Sequence, residues 1–198
     1  MPEQDSPDLT TVQSLEKDLP KETIKGSIWN ALSWVRDLAF SVLIAVVSIV
    51  FIYQPVKVEG TSMLPGLTDQ ERIFINKFTY RFGLESIGRG DTVVFEYPGD
   101  NTKSYIKRVI GLPGDHIRID HGQVYVNDRP LQEDYVEPDY RDDFSMRELV
   151  VAPGEYFVLG DHRNSSSDSR VWGNVPRKSI YGKAVFCYWP LSKLGRLK

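Results

Sequence analysis

Ser104-Tyr105-Ile106-Lys107-Arg108-Val109-Ile110 is the stretch whose reading decides the fold. Read as a strand, its side chains alternate between two faces. Tyr105, Lys107 and Val109 then share one face, and Ile106, Arg108 and Ile110 share the other. Both faces carry large apolar residues, so at least one cation sits among apolar neighbours on a covered face. The competing arrangement is an edge strand whose long basic side chains snorkel into water. Burial would have a chemical consequence. An exposed lysine has a pKa of about 10.4, so roughly one molecule in a thousand is neutral near pH 7.4. Desolvation lowers that value by up to several units, and a neutral amine can take the proton of a serine hydroxyl.

Further short strands are expected on both sides of this one, at residues 56–59, 72–76, 92–97, 116–119, 124–126, 148–151, 156–159 and 184–188. Turn signals separate them: Tyr97-Pro98-Gly99-Asp100, Leu112-Pro113-Gly114-Asp115, His121-Gly122, Asn127-Asp128 and Pro153-Gly154. No long amphipathic helix is expected after residue 55. The fold class expected is therefore mostly β, an irregular antiparallel barrel or two packed sheets over 55–198. Residues 131–147 form an acidic insertion containing Pro138, with 132–143 read as a solvated loop. His116 and His121 are expected on the surface beside a hairpin.

Upstream the pattern changes. Residues 38–53 are 16 in a row without a charge. As a helix they would span roughly 24 Å, against a hydrocarbon core of ~30 Å. Trp34 and Val35 extend the run, and Arg36 and Asp37 can snorkel to the headgroups. A buried core helix fits poorly, because the run has no polar face. A cleavable leader fits poorly too, because the run ends Ile52-Tyr53-Gln54-Pro55 with no small-x-small site. We therefore expect an interfacial lead-in and one transmembrane anchor helix over 28–54. Lys17, Lys21, Lys25 and Arg36 precede the run and only Lys57 follows closely, which puts the N-terminus in the cytoplasm and 55–198 on the periplasmic or luminal side. Residues 1–27 read as a polar, disordered cytoplasmic tail.

The 198 residues are 41% hydrophobic and 26% charged with net charge −3, so no nucleic-acid partner is indicated. One cysteine, Cys187, excludes an intrachain disulfide, and no Cys/His spacing suggests a metal. Cys187 lies in an apolar run and is expected in the core. Two polar segments remain. Gly60-Thr61-Ser62-Met63-Leu64-Pro65 follows a strand close to the apolar run, and residues 160–170 hold two aspartates, two arginines, four serines and His162. Such a loop is either an ordinary surface turn or a buttress fixed by paired Asp/Arg hydrogen bonds.

Four segments in order resemble the bacterial type I signal peptidases. Residues 60–65 resemble the nucleophile box, Gly90-Asp91-Thr92-Val93-Val94-Phe95 a structural strand, 105–115 the lysine box, and 160–170 the last box. The resemblance implies Ser62 as nucleophile and Lys107 as general base. It implies that Ser166 orients the Lys107 amine and that Asp161, Arg163, Asp168 and Arg170 hold the loop. Met63 would face the substrate cleft or the membrane. The expected activity is removal of signal peptides from exported pre-proteins, with small residues at the first and third positions before the cut. The substrate would lie extended along strand edges. No cofactor or metal is implied, the partners are signal peptides and membrane lipid, and the enzyme is expected as a monomer.

The chain departs from that pattern twice. His162 stands where the family more often has asparagine, and Gly60 where some members have a serine that helps the oxyanion hole. The oxyanion would then rest on backbone N–H groups, chiefly that of Ser62. Three other readings are weighed beside this one: a Ser–His–Asp hydrolase using His162, a membrane-tethered β domain with an inert Ser62, and a relative of the self-cleaving repressors. The last needs a DNA-binding region where this chain has a tail and an apolar run.

Overall fold

The computed structural model describes residues 22–77 and 86–197, with backbone alone for 22–31 and 48–52. Two compact units divide at residue 48. The first is dominated by helix α1, Glu22–Ile52. It begins earlier than expected, inside the segment read as tail. Glu22 and Lys25 are good helix formers, and extending an existing helix costs far less than nucleating one. The rest of that tail lies outside the described residues. Along α1 the apolar side chains Trp34, Leu38, Phe40, Leu43, Ile44 and Val46 are all exposed. Among the described residues no helix is long and apolar enough to cross a membrane. The uncharged run lies partly beyond them, since its side chains at 48–52 are not described.

The second unit is mostly β, as its alternating pattern demands. Its strands are β1 (Tyr53–Lys57), β2 (Arg72–Asn76), β3 (Thr92–Tyr97), β4 (Asp100–Gly111), β5 (His116–Asp120), β6 (Gln123–Val126), β7 (Arg129–Pro130), β8 (Met146–Val150), β9 (Glu155–Leu159), β10 (Val175–Pro176), β11 (Ile180–Trp189) and β12 (Gly195–Arg196). Among the described residues they make two sheets. An 8-stranded sheet runs β1-β2-β11-β3-β4-β9-β10 with β12 on β11, and a 4-stranded sheet runs β7-β6-β5-β8. The first strand begins three residues before its expected start. Its partner is β2, and Tyr53 pairs with Asn76 at the far end.

Turn chemistry sets the hairpins. β3 returns into β4 with Tyr97 opposite Asp100. β5 and β6 meet through His121 and Gly122, both at positive φ, and β6 and β7 through Asn127 and Asp128, also at positive φ. Two consecutive left-handed residues give a turn whose twist matches the strands it joins. His116 and His121 are exposed, bonded to Glu148 and Asp143.

The core follows the alternation. Val93 and Phe95 of β3 join one apolar cluster with Val109 and Val158, while Val94 points the other way into a cluster with Ile73, Ile75, Ala184 and Cys187. The smaller sheet closes a third cluster, where Ile117 and Val124 pack on Ile110, Phe157 and Leu159. Cys187 is buried as expected. Most of the acidic insertion is exposed, but two of its residues turn inward. Glu133 and Val136 are buried, because the charge of Glu133 is matched by Arg163.

Gly111, the last residue of β4, has no room for a side chain. A Cβ there would lie 2.9 Å from Phe157 Cβ and from Val151 Cγ2. Neither neighbour can yield without disturbing the third cluster. Gly111→Ala should therefore destabilise the fold by about 1–3 kcal/mol through overpacking, read as a fall in denaturation midpoint against the unaltered protein.

Candidate active site

Ser62 sits on the loop between β1 and β2. The loop enters through Gly60 at φ +92, a backbone region that side chains rarely adopt. That conformation accounts for glycine at a position where a serine was the alternative. Gly60 N–H donates to Asp69 Oδ1 (2.8 Å) and Leu64 N–H to the Thr61 carbonyl (3.1 Å), so the turn is held on both sides of the serine. Met63 departs from the expected placement. It is a core residue, packed with Val58, Leu67, Ile73 and Ile75. An unbranched apolar chain next to the serine plugs the core and pins the loop.

Lys107 lies at the centre of β4, opposite Val93 of β3. It is 4% exposed, which decides between the two arrangements open from the sequence: this cation does not snorkel out. Its Nζ donates to Ser62 Oγ at 2.6 Å. Burial pushes its pKa down from the ordinary 10.5 to about 8. The nearby Asp168 and Asp161 oppose the shift and Arg170 adds to it. Near neutral pH a usable fraction of this amine is therefore unprotonated, and its lone pair faces a hydroxyl proton.

Arg108, one residue on, points to the opposite face and is also buried. Its Nε and Nη2 donate to the two oxygens of Asp161 at 2.9 and 2.7 Å, and its guanidinium lies 4.2 Å from the Tyr135 ring centroid. One of the two arrangements open from the sequence pairs the aspartates and arginines of 160–170 with one another. Only Arg170 and Asp168 do so, at 2.8 and 2.9 Å. Arg163 instead donates to both oxygens of Glu133, at 3.1 and 2.5 Å. Arg170 also reaches Asp142. The insertion thus supplies two acids to the loop. Planar guanidinium forks on carboxylates fix orientation as well as charge.

The loop is tied to the serine. Gly160 has Ser62 O and Ser166 Oγ so close that a Cβ would lie 2.5 and 2.2 Å from them. Asp168 accepts from Gly160 N–H (3.1 Å) and caps the short helix α2, Ser169–Trp172. The bond expected from Ser166 to the lysine is not made: among the described residues Ser166 Oγ is buried with no hydrogen-bond partner, and the amine bonds Ser62 Oγ and lies 5.6 Å from the Tyr105 ring centroid. His162 does not bond Ser62 Oγ. Its Nδ1 lies 3.0 Å from the Thr61 carbonyl.

Ser62 and Lys107 open into a cleft of about 320 Å³, walled by Val58, Val94, Tyr105, Ile106 and Tyr181. A larger cleft of about 550 Å³ beside Tyr53, Phe74 and Phe186 is lined by no serine, threonine or cysteine. Among the described residues no group of three or more His, Cys, Asp or Glu is placed to hold a metal ion.

The sequence matches the family model described as signal peptidase, peptidase S26, over residues 31–189. A signal peptidase I from Leptolyngbya laminosa is 36% identical over 173 residues, 82% of this chain and 82% of that protein. A probable signal peptidase I-2 from Synechocystis is 35% identical over 188 residues, 92% and 83% of the two chains. A solved signal peptidase I from Enterococcus faecalis is 33% identical, with a TM-score of 0.45 over 50% of this chain and 97% of that one. On the family match and these relatives, the chain belongs to the signal peptidase family of serine endopeptidases, peptidase S26.

Proposed function

We propose that this enzyme removes signal peptides from exported pre-proteins by acyl transfer, with Ser62 as nucleophile and Lys107 as general base. The observation that carries the reading is the 2.6 Å contact between Lys107 Nζ and Ser62 Oγ at a buried amine. Neutral Lys107 accepts the Ser62 proton as Oγ attacks the scissile carbonyl. The ammonium so formed protonates the leaving amine, and the acyl group stays on Ser62. Water then attacks the ester, with Lys107 again taking the proton. The Ser62 backbone N–H faces the developing oxyanion. The Asp161, Arg163, Asp168 and Arg170 cluster holds the loop that backs the serine, and Ser166 packs against Gly160 within it. Met63 anchors it from the core side.

Among the described residues two unpaired strand edges support an extended substrate. β1 stands at the end of its sheet, paired with β2 alone, and upstream of Arg108 the second edge of β4 carries no described strand. A peptide between them would gain main-chain hydrogen bonds from both. Bulky walls at Ile106, Tyr105 and Val94 favour small side chains before the cut.

The anchor completes the reading. The run over 38–53 is taken as a single membrane span with the N-terminus cytoplasmic and 55–198 extracytoplasmic. The support is its lack of charge and the exposure of its apolar side chains, Phe40 at 58% and Ile44 at 63% among them. Enzyme and substrate anchored in one bilayer meet at high effective concentration, and a monomer suffices.

Three outcomes test this. Cleavage of a precursor should fall on the order of 10⁴-fold or more in Ser62→Ala and in Lys107→Ala, while His162→Ala keeps readily measurable turnover. Near-normal turnover in Lys107→Ala would remove the dyad.

The second outcome concerns pH. kcat/KM should climb about tenfold per pH unit and level off above about pH 8, where the Lys107 amine is neutral. The folded pKa lies below the unfolded one, so the unfolded chain binds the proton more readily. The cost to the fold is full below about pH 8 and disappears as pH rises through about 10.5. Lys107→Met should thus be inactive yet more stable at pH 7 by up to about 3 kcal/mol, a gain that vanishes at pH 11. Denaturant unfolding at both pH values measures it, and a less stable variant at pH 7 contradicts the burial argument.

The third concerns the anchor. Alkaline carbonate should leave the protein in the membrane pellet, and protease added from the extracytoplasmic side should digest 55–198. Release by carbonate would exclude the span.

A further inference from the structure

His162 brackets the nucleophile. Its ring Nδ1 is 3.0 Å from the carbonyl of Thr61, the residue before Ser62. Its backbone N–H donates to the carbonyl of Ser62 itself at 3.1 Å. A carbonyl has no hydrogen to give, so Nδ1 carries the proton and donates. The ring is held by Tyr140, edge-on with centroids 4.5 Å apart. Tyr140 ends a short 3-10 turn, Pro138–Tyr140, whose Asp139 carbonyl accepts from Asn164 Nδ2 at 3.0 Å. The insertion therefore fixes the imidazole from one side and the 160–170 loop fixes it from the other.

The Thr61 carbonyl and the Ser62 N–H belong to one peptide. That unit is planar and trans, so its C=O and N–H point in opposite directions. A donor that fixes the carbonyl also fixes the amide. It polarises the peptide as well, making the N–H a stronger donor. Among the described residues the Ser62 N–H makes no hydrogen bond, so it is available to an oxyanion.

We propose that His162 is a positioning residue for the oxyanion hole, aiming and polarising the peptide that joins Thr61 to Ser62. This rests on the Ser62 acyl-transfer reading above. It assigns His162 a part in transition-state stabilisation and none in proton transfer. Leu64 N–H already donates to the same carbonyl at 3.1 Å, so His162 supplies the second of two bonds. Its loss weakens the alignment without abolishing it.

The test uses the full chain in detergent with a precursor substrate. His162→Ala should lower kcat by about tenfold, less than the loss of an oxyanion donor itself, with KM within about twofold. The rising limb near pH 8 should stay, because Lys107 is untouched. Affinity for a peptide aldehyde, whose adduct oxygen occupies the oxyanion position, should fall by the same factor as kcat. His162→Asn should restore most of the loss, since its Nδ2 stands where Nδ1 stood, and His162→Leu should not.

A kcat within twofold of the unaltered enzyme in His162→Ala overturns the proposal. So does a loss shared equally by the Asn and Leu variants, which would mean a packing role only. Complete inactivation of His162→Ala with loss of the pH 8 limb would make the histidine a base and also overturn it. If Ser62→Ala cleaves as well as the unaltered enzyme, the underlying acyl-transfer reading fails, whatever His162 does.

Discussion

Holding a lysine amine in a nearly dry site 2.6 Å from a serine hydroxyl is the constraint around which the second unit is arranged. Desolvation disfavours the ammonium, which is what gives the amine a lone pair near neutral pH. The same desolvation costs stability, so the surroundings must be rigid enough to keep water out. Lys107 therefore sits mid-strand, on β4 with β3 along one side, rather than on a loop. The serine comes to it on a turn anchored by a core methionine, Met63. Both partners are placed by packing within the unit itself.

Charge pairing beneath the site serves the same end. Arg108 with Asp161, Arg163 with Glu133, and Arg170 with Asp168 are buried ion pairs with forked geometry. Pairs of this kind are weak evidence for net stability, because desolvation offsets the attraction. Their orientation is specific, however, and here it fixes a loop that touches Ser62 through Gly160 and His162. Asp161 and Asp168 also oppose the fall in the Lys107 pKa. The value of about 8 is thus a balance between burial and two carboxylates already committed to arginines.

The β character, most strand positions, the buried cysteine and the placing of Ser62 beside Lys107 were all legible in the chain. Alternation and turn residues carry that information locally, and the ordered boxes supplied the pairing. The ion-pair scheme was not legible. Asp161 takes its arginine from 53 residues away and Arg163 takes its acid from 30 residues away. The one available signal was Arg108 itself, a second cation inside an apolar strand with no acid nearby in sequence. The burial of Glu133 was hidden for a related reason. Acidic composition reads as solvated until a buried arginine is known to need those acids.

Sequence alone determined the strand periodicity, the hairpin turns, the uncharged run at 38–53 and which residue types could do chemistry, because each depends on neighbours within a few positions. The tertiary structure decided the rest. It turned Lys107 inward, sent Met63 to the core, left Ser166 without the lysine as partner, and set His162 against Thr61. Those outcomes depend on which distant segments share a surface. Burial and hydrogen-bond partnership are properties of that surface, and one-dimensional order does not encode them locally.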